Sequence, residues 1–252
     1  MRLQDNTHYL LLLWLMITGL ALFGVVVSWN EGLVRQLVDG DRSRICLVIG
    51  LLYCIGTIHC ACRVLFLSSE LNNADLIATR LSSTESQSAL SVEDGHLVVG
   101  ESGPLPDCVM TRHLVDVVIS NRESTVSELS SDNANLIDSL AQRLKGAHEL
   151  GWFGVDILLK LGLVGTIIGF VVMLGSVTNT DTFDVTTMQK ILRDMSSGMG
   201  TALYTTLAGL VGSIVLGLQY LVLDKGADEL LHRVIRSTEI HIKPHMNSSL
   251  TE

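Results

Sequence analysis

The chain has 252 residues, of which 48% are hydrophobic and only 17% are charged. Soluble globular proteins carry about 25% charged residues, so this composition excludes an ordinary soluble domain and indicates a chain partly surrounded by lipid. The formal net charge is -9 and no basic stripe is present, which excludes nucleic acid as a partner.

Two long apolar runs near the N-terminus predict two membrane-spanning helices. Residues 9–29 and 45–67 each supply about 20 residues, enough to cross the hydrocarbon core. The first run is longer than the apolar part of a signal peptide and lacks a cleavage-like site after it, so we predict a retained helix. His59 and Arg63 lie one turn apart near the end of the second run. The pair suits a proton relay or a structural role at the membrane boundary, and we favour the structural role.

The next segment, residues 68–150, is acidic and is predicted to face water. It holds thirteen acidic and five basic residues, a net charge of -8. Serine, glycine and proline predict a loop over residues 81–108, with one short strand at His96–Val99. From about residue 109 the apolar residues recur at helical spacing. They predict an amphipathic helix that continues into the membrane and packs on the chain's own helices or on a neighbouring subunit. The stripe consists of Val126, Leu129, Leu136, Leu140, Leu144 and Ala147.

Two further spans follow, at about residues 155–177 and 201–223. Asp156 and Lys160 lie four positions apart, acid first, and predict a structural ion pair at the cytoplasmic edge of the third span. The loop between these spans, residues 178–200, contains MQKILRDM, which predicts a separate short helix on the membrane surface.

The predicted fold class is an all-α polytopic membrane protein with four transmembrane helices and long cytoplasmic helical extensions. We divide the chain into two N-terminal spans (1–67), the acidic segment (68–150), a core of spans three and four (151–224) and a tail (225–252). Four spans place both termini on one side of the membrane. With Lys160 left out, that side carries eleven Lys and Arg residues against five on the other, which predicts that it is cytoplasmic.

The motifs of the common enzyme and metal-site classes are absent from the sequence, so we expect no enzyme, no cofactor and no metal centre. Small residues instead form stripes on spans three and four. We expect these stripes to bring helices close together and to hold an oligomer. The residues predicted to pack are Gly162, Gly165, Gly169, Ala202, Gly209 and Ser213. Thr166, Thr205 and Thr206 add hydroxyl groups at membrane depth, which suit simple packing or an ion pathway.

The sequences LGLVGTIIGF and GMGTALYTTLAGLVGSI, separated by a short loop, resemble the MotA/TolQ/ExbB family of ion-channel stator subunits. The resemblance implies a homopentamer in the lipid bilayer of the bacterial inner membrane. It also implies a dimeric single-span partner similar to MotB, TolR or ExbD, which supplies a membrane aspartate beside which protons or sodium ions cross. Carried onto this chain, the family's membrane threonines are Thr166 and Thr206, with Thr205 as the neighbouring hydroxyl.

Two departures from the family pattern lie in the fourth span. The ExbB/TolQ branch tends to have an acid before the AL of this span and a proline in its middle, where this chain has Thr201 and Val215. The residues do not identify the ion, which is either a proton or sodium. They also do not identify the process that the motor drives. In relatives these processes include flagellar rotation, outer-membrane uptake, gliding and phage defence.

Two hypotheses of function remain. The first is a stator subunit of a membrane motor that converts an ion gradient into torque or force. The alternative is a membrane scaffold or sensor whose acidic helix binds a protein partner without ion conduction. A secondary transporter is disfavoured, because internal repeats and broken helices are not visible in the sequence.

Overall fold

The computed structural model describes residues 9–41, 43–83, 90–93, 96–99, 106–123, 129–178 and 185–238. These residues form helices and one two-stranded sheet. In chain order they are α1 (Tyr9–Asn30), α2 (Leu33–Gly40), α3 (Ile45–Ser83), β1 (Leu90–Glu93), β2 (His96–Val99), α4 (Val109–Glu123), α5 (Leu129–Thr178) and α6 (Val185–Ser237).

Four helices, α1, α3, α5 and α6, are long and apolar enough to cross a membrane. A helix satisfies its backbone N–H and C=O groups internally, which is the condition for lying in lipid. Large apolar side chains cover the outer surfaces of these helices, and Leu20, Phe23, Leu163 and Leu203 are each more than 60% exposed. The predicted fold class, an all-α protein with four helices able to span a membrane, is confirmed.

The turn before α3 is built around the buried carboxylate of Asp41. Its Oδ1 accepts hydrogen bonds from the backbone N–H of Ser43 at 2.9 Å and from the Ser43 hydroxyl at 2.5 Å, and its Oδ2 accepts one from the backbone N–H of Cys46 at 2.7 Å. Burial raises the pKa of Asp41, but these hydrogen bonds outweigh it and leave the pKa below its ordinary value. The carboxylate therefore stays charged and satisfies N–H groups that the first turn of a helix leaves free.

Helix α6 differs from the prediction at its start. The separate short helix predicted within residues 178–200 is wrong, because α6 runs unbroken from Val185 through the fourth span. Gly198 lies in this stretch, and a glycine in a helix interior costs about 1 kcal/mol relative to alanine. It is tolerated here because a Cβ at Gly198 would lie only 2.8 Å from the carbonyl oxygen of Gly169, so the bare backbone permits contact with α5.

Two further differences from the prediction concern α3 and α2. Helix α3 continues past the second span to Ser83, so the first part of the acidic segment is helix. The connection between the first two spans contains α2, a short helix that was not predicted. It begins after Gly32, whose positive φ of 75° suits a residue without a Cβ. As predicted, α5 continues from the acidic segment into the third span as one helix. Its sequence contains no proline to interrupt it.

The strand predicted at His96–Val99 is confirmed as β2. It pairs antiparallel with β1, with Glu93 opposite His96 and Leu90 opposite Val99. The partner strand was not predicted, although the sequence held a signal for it: the residues between the strands are Asp-Gly, the pair favoured in two-residue hairpin turns. Most of the remaining predicted loop, 84–89 and 100–105, lies outside the described residues.

The described residues fall into two compact units, and α1, α3, α5 and α6 contribute to both. The membrane unit is drawn from Leu12–Cys62 and Glu149–Val222. The extension unit is drawn from Met1–Leu11, Arg63–His148 and Leu223–Glu252.

The extension unit has an apolar core that takes up part of the predicted stripe of α5. Leu140 and Leu144 are buried, as are Leu114 of α4 and Leu230 of α6. Leu140 and Leu144 of the stripe therefore pack on the chain's own helices. Val126 and the side chains of Leu129 and Ala147 lie outside the described residues.

Polar contacts surround this core. Arg233 of α6 donates to Asp75 of α3 at 2.5 Å. Glu70 of α3 accepts a hydrogen bond from the backbone N–H of Val109 at 2.9 Å, which places a carboxylate at the positive N-terminus of α4. Further contacts join Lys145 to Asp228 at 2.7 Å, His148 Nδ1 to Asp224 at 2.8 Å, and Arg63 to the carbonyl of Leu144 at 3.2 Å. Exposed ion pairs contribute at most about 1 kcal/mol each, so apolar burial is the main stabilising term of this unit.

His113 of α4 is a buried imidazole in the extension unit. Its Nε2 has no hydrogen-bond partner among the described residues. Burial lowers the pKa of His113, and the charge of Asp116 opposes this shift only in part. The folded chain therefore holds the imidazole neutral, whereas the unfolded chain protonates it near the ordinary value of about 6.5.

We predict that stability falls as the pH drops below about 6.5, because only the unfolded state then gains the proton. The loss is at most about 1.4 kcal/mol per pH unit for one proton. Thermal unfolding of His113→Leu, measured at about pH 7.5 and pH 5.5, should show a smaller acid-induced decrease than the parent chain. His232→Leu removes an exposed imidazole of α6 and should keep the full decrease. An equal decrease in His113→Leu and the parent would show that this imidazole is not linked to unfolding.

Candidate functional site

Helices α5 and α6 pack antiparallel in the membrane unit along a seam of small residues. The facing pairs are Gly162 with Gly209, Gly165 with Thr205, and Gly169 with Ala202. The approach is close enough for backbones to touch: a Cβ at Gly169 would lie 2.7 Å from the backbone N of Ala202, and one at Gly209 would lie 2.7 Å from the carbonyl oxygen of Leu158. Ser213, one turn beyond Gly209, is buried and donates to the carbonyl of Leu210 at 2.9 Å.

This seam changes the role expected for the small-residue stripes. We expected them to hold subunits of an oligomer together. The four glycines of the seam are buried against the chain's own partner helix. They therefore offer no surface to a neighbouring subunit, and contacts between chains need other residues.

Two of the three candidate threonines lie in the seam. Thr205 is fully buried, and its hydroxyl donates to the carbonyls of Thr201 at 2.9 Å and Ala202 at 3.1 Å on its own helix. The hydroxyl of Thr206 donates to the carbonyl of Ala202 at 2.9 Å and lies 3.4 Å from the carbonyl oxygen of Gly162 across the seam.

Thr166 lies on α5 at nearly the same level as Thr206. It follows Gly165, which faces Thr205, so the antiparallel register separates the two threonines by no more than about 3 Å along the helix axes. Thr166 is half-buried, and its hydroxyl donates to the carbonyl of Leu163 at 2.5 Å. A hydroxyl that donates to its own helix keeps oxygen lone pairs, which accept a hydrogen bond or coordinate a cation.

An open, largely apolar groove of about 390 Å³ contains Thr166 in its wall. Its lining consists of Thr166, Ile167, Phe170, Val171, Met173, Met199 and Ala202. The sequence carries no charged residue over 161–177 or 195–223. These stretches therefore offer an ion hydroxyl groups and no carboxylate.

Three further polar residues make structural contacts. Asp156 and Lys160 form an ion pair on an exposed face of α5, where such a pair contributes little to stability. Thr201 is buried. It occupies the position at which one branch of the family that the sequence resembles tends to have an acid. Its hydroxyl donates to the carbonyls of Gly40 at 2.7 Å and Ser197 at 3.1 Å, so it joins α6 to the end of α2.

A second polar cluster in the membrane unit was not predicted. The hydroxyl of Tyr220 lies 2.7 Å from Nδ1 of His59 and donates to the carbonyl of Gly56 at 3.3 Å. The neighbouring Gln219 donates to the hydroxyl of Thr18 on α1 at 3.3 Å. These contacts join residues 161 or more positions apart in the chain, so no local sequence pattern could have paired them.

A comparison with protein families finds a match over the part of the chain that contains the seam. The sequence profile of the MotA/TolQ/ExbB proton channel family matches residues 121–235, a stretch that contains α5 from Leu129 and all of α6 up to Ile235. The match confirms the resemblance over this stretch, and the family that it names is one of proton channels. Members of this family act with partner proteins in membrane complexes. No match was found among curated proteins, and none among solved structures.

We predict that Gly169→Ala and Gly209→Ala destabilise the chain by about 1–3 kcal/mol each, because the added methyl group meets backbone atoms that cannot rotate away. The measurement is thermal unfolding in mild detergent. Gly154→Ala is the matched control on α5, because nothing lies within 4 Å of a Cβ at that position. It should be neutral or stabilising by up to about 1 kcal/mol. Equal stabilities of Gly169→Ala and Gly154→Ala would contradict the close seam.

Proposed function

We propose that the chain is an ion-conducting stator subunit of a membrane motor complex, which couples the flow of protons or sodium ions to torque or force. The observation that carries this proposal is the placement of Thr166 and Thr206 at one level of α5 and α6, inside the stretch that matches the channel family. Moving one charge down a membrane potential releases about 2.3 kcal/mol per 100 mV. Several ions acting in turn suffice for small mechanical steps.

The uncharged spans support a partner that supplies the acid. Hydroxyl groups pass an ion along, but they do not store a proton at neutral pH, and this chain has no carboxylate over 161–177 or 195–223. We propose that a dimeric single-span partner similar to MotB, TolR or ExbD brings an aspartate to the level of Thr166 and Thr206. Thr205 is fully buried against Gly165, so we assign it to packing in this mechanism.

The proposed setting is the bacterial cytoplasmic membrane, with both termini and the extension unit on the cytoplasmic side. The excess of basic residues on that side supports this orientation. In this arrangement Asp156 and Lys160 lie at the cytoplasmic edge of α5. They act as a structural pair and not as ion ligands.

We predict that Thr166→Val and Thr206→Val lower ion flux in vesicles that contain the chain and its partner. Valine keeps the shape but removes a polar group from a site of low dielectric, which costs roughly 1–3 kcal/mol. Flux should therefore fall by about one to two decades, whereas Thr→Ser keeps the hydroxyl and should have a mild effect. Varying pH and sodium separately identifies the ion.

The control for this measurement is the Asp156→Asn, Lys160→Gln double variant, compared at matched expression and assembly. It removes an exposed pair and should conduct as the parent does. Full flux in the Thr166→Val, Thr206→Val double variant would end the assignment of these hydroxyls to the ion pathway. Absence of flux in the parent with its partner would favour the scaffold hypothesis.

We also predict a homo-oligomer of five copies. The glycine seam is filled within one chain, but Ile167 and Phe170 of the groove are each more than half exposed and can be covered by a neighbouring helix. Native mass spectrometry in mild detergent should show the mass of five chains. A stable monomer under these conditions would contradict the prediction.

A further inference from the structure

The ion pair of Asp156 and Lys160 is level with the middle of the neighbouring helix α6. Leu158 stands between the two residues in the sequence, and its Cδ1 would lie 3.9 Å from a Cβ at Gly212 of α6. Helix α6 carries no charged residue over 195–223. At about 1.5 Å per residue, Gly212 is about 16 Å from the cytoplasmic end of this stretch and about 25 Å from its other end. The pair therefore lies deep within the membrane-spanning part of the chain.

Helices α3 and α1 also lack charge at this depth. A Cβ at Gly212 would lie 3.9 Å from Cγ2 of Ile49, so this residue of α3 is level with the pair. Helix α3 carries no charged residue over 45–62. Helix α1, whose Thr18 accepts a hydrogen bond from Gln219 at 3.3 Å, carries none over its whole length. Three of the four spans are thus uncharged where α5 carries an ion pair.

The pair lies on the face of α5 that points away from the seam. Leu163 and Ile167 follow Asp156 and Lys160 at helical spacing, and we call these four residues the free face of α5. Each of their side chains is at least half exposed. Ile167 also lines the groove that contains Thr166, so the free face leads from the pair to this groove.

Lipid does not suit the free face at the depth of the pair. Charged residues within membrane spans lie in the interior of a bundle or in a water-filled cavity, because hydrocarbon does not solvate them. A lysine can extend its long side chain to the membrane surface, but Lys160 is bound to Asp156, whose short side chain cannot reach that far. A neighbouring copy of the chain offers the same four helices, and α1, α3 and α6 have no charged group at this level. Water is therefore the partner that fits the pair.

We propose that the free face of α5 borders a water-filled vestibule inside the assembly of several chains, and that this vestibule opens to the cytoplasm. The inference rests on the proposed function, because the vestibule forms only between chains that assemble with one another. Asp156 and Lys160 hold water at its inner end, so the cytoplasmic edge at which they lie is this inner end and not the surface of the bilayer. Thr166 is six residues beyond Lys160, about 9 Å along the helix axis. An ion that leaves the level of Thr166 therefore reaches water over a short distance without a further ligand.

The first test measures how fast engineered cysteines react with a charged methanethiosulfonate reagent that does not cross membranes. The reaction requires a thiolate, which forms in water and not in lipid. The background is Cys54→Ala, Cys62→Ala, because these two native cysteines are exposed and the other three are buried. In inverted membrane vesicles, whose cytoplasmic side faces the reagent, we expect Lys160→Cys to react at least about tenfold faster than Leu51→Cys. Leu51 is the matched control, since it is 62% exposed on α3 and lies two residues from Ile49.

The second test measures ion flux in vesicles that contain the chain and its partner, and it separates polarity from charge. Asp156→Leu, Lys160→Met gives the inner end of the vestibule an apolar lining, which expels water. We expect this variant to conduct at least about tenfold less than the parent. Asp156→Asn, Lys160→Gln keeps groups that form hydrogen bonds with water and should conduct as the parent does. If the pair faced lipid, the apolar variant would be the better tolerated of the two.

Equal rates for Lys160→Cys and Leu51→Cys would overturn the inference, as would labelling of Lys160→Cys only in right-side-out vesicles. Equal flux in the apolar and amide variants would also overturn it. If Lys160→Cys does not assemble, Phe153→Cys takes its place, because Phe153 precedes Asp156 by one turn on the same face and is 59% exposed. Its control is Ile58→Cys on α3, which is 64% exposed, and equal rates for these two variants would overturn the inference.

The two tests together distinguish this inference from the proposed function. Fast labelling of Lys160→Cys in a chain that conducts no ion would leave the vestibule in place and overturn the proposed function. A chain that conducts ions while Lys160→Cys stays shielded from the reagent would overturn the vestibule alone.

Discussion

The contact between the backbones of α5 and α6 is the constraint on which the rest of the membrane unit depends. In lipid the hydrophobic effect does not drive helices together, so close packing and hydrogen bonds must do so. The glycine seam supplies the packing. It fixes the antiparallel register of the two helices, and that register brings Thr166 level with Thr206 and places Tyr220 against Gly151. A shift of one residue at the seam would rotate each of these side chains away from its partner.

The polar side chains of the membrane unit divide into groups with distinct environments. Thr201 and Thr205 are buried and donate to backbone carbonyls, so they are satisfied within the protein. Thr166 is half-buried and lies in the wall of a groove, which leaves its oxygen accessible. Buried polar groups in a medium of low dielectric need partners. In the proposed function, the hydroxyl of Thr166 is therefore the one available to an ion, and the buried hydroxyls of Thr201 and Thr205 serve packing.

The extension unit contains charged side chains around its core. There, ion pairs such as Arg233 with Asp75 surround an apolar core, while His113 remains neutral inside it. The membrane unit instead holds a single described histidine, His59, whose Nδ1 lies 2.7 Å from the hydroxyl of Tyr220. Among the described residues, Nε2 of His113 has no hydrogen-bond partner, whereas Nδ1 of His59 has one.

Local sequence patterns were enough to identify a membrane protein with four spans. Hydropathy and charge are properties of neighbouring residues, so the four spans, the continuity of α5 into the membrane and the strand at His96–Val99 followed from the chain directly. The family resemblance also rested on contiguous motifs. The start of α6 did not follow, because the helix-disfavouring Gly198 is accommodated by its close contact with α5.

Which helix faces meet could not be read from local sequence patterns. Helical spacing placed Gly162, Gly165 and Gly169 on one stripe, but it did not show that the chain's own α6 fills that stripe in place of a neighbouring subunit. Nor did it distinguish the buried Thr205 from the adjacent Thr206, or pair His59 with Tyr220 across 161 positions. The physical reason is that periodicity specifies a direction around one helix axis. The partner in that direction depends on the register and packing of helices that are distant in the chain.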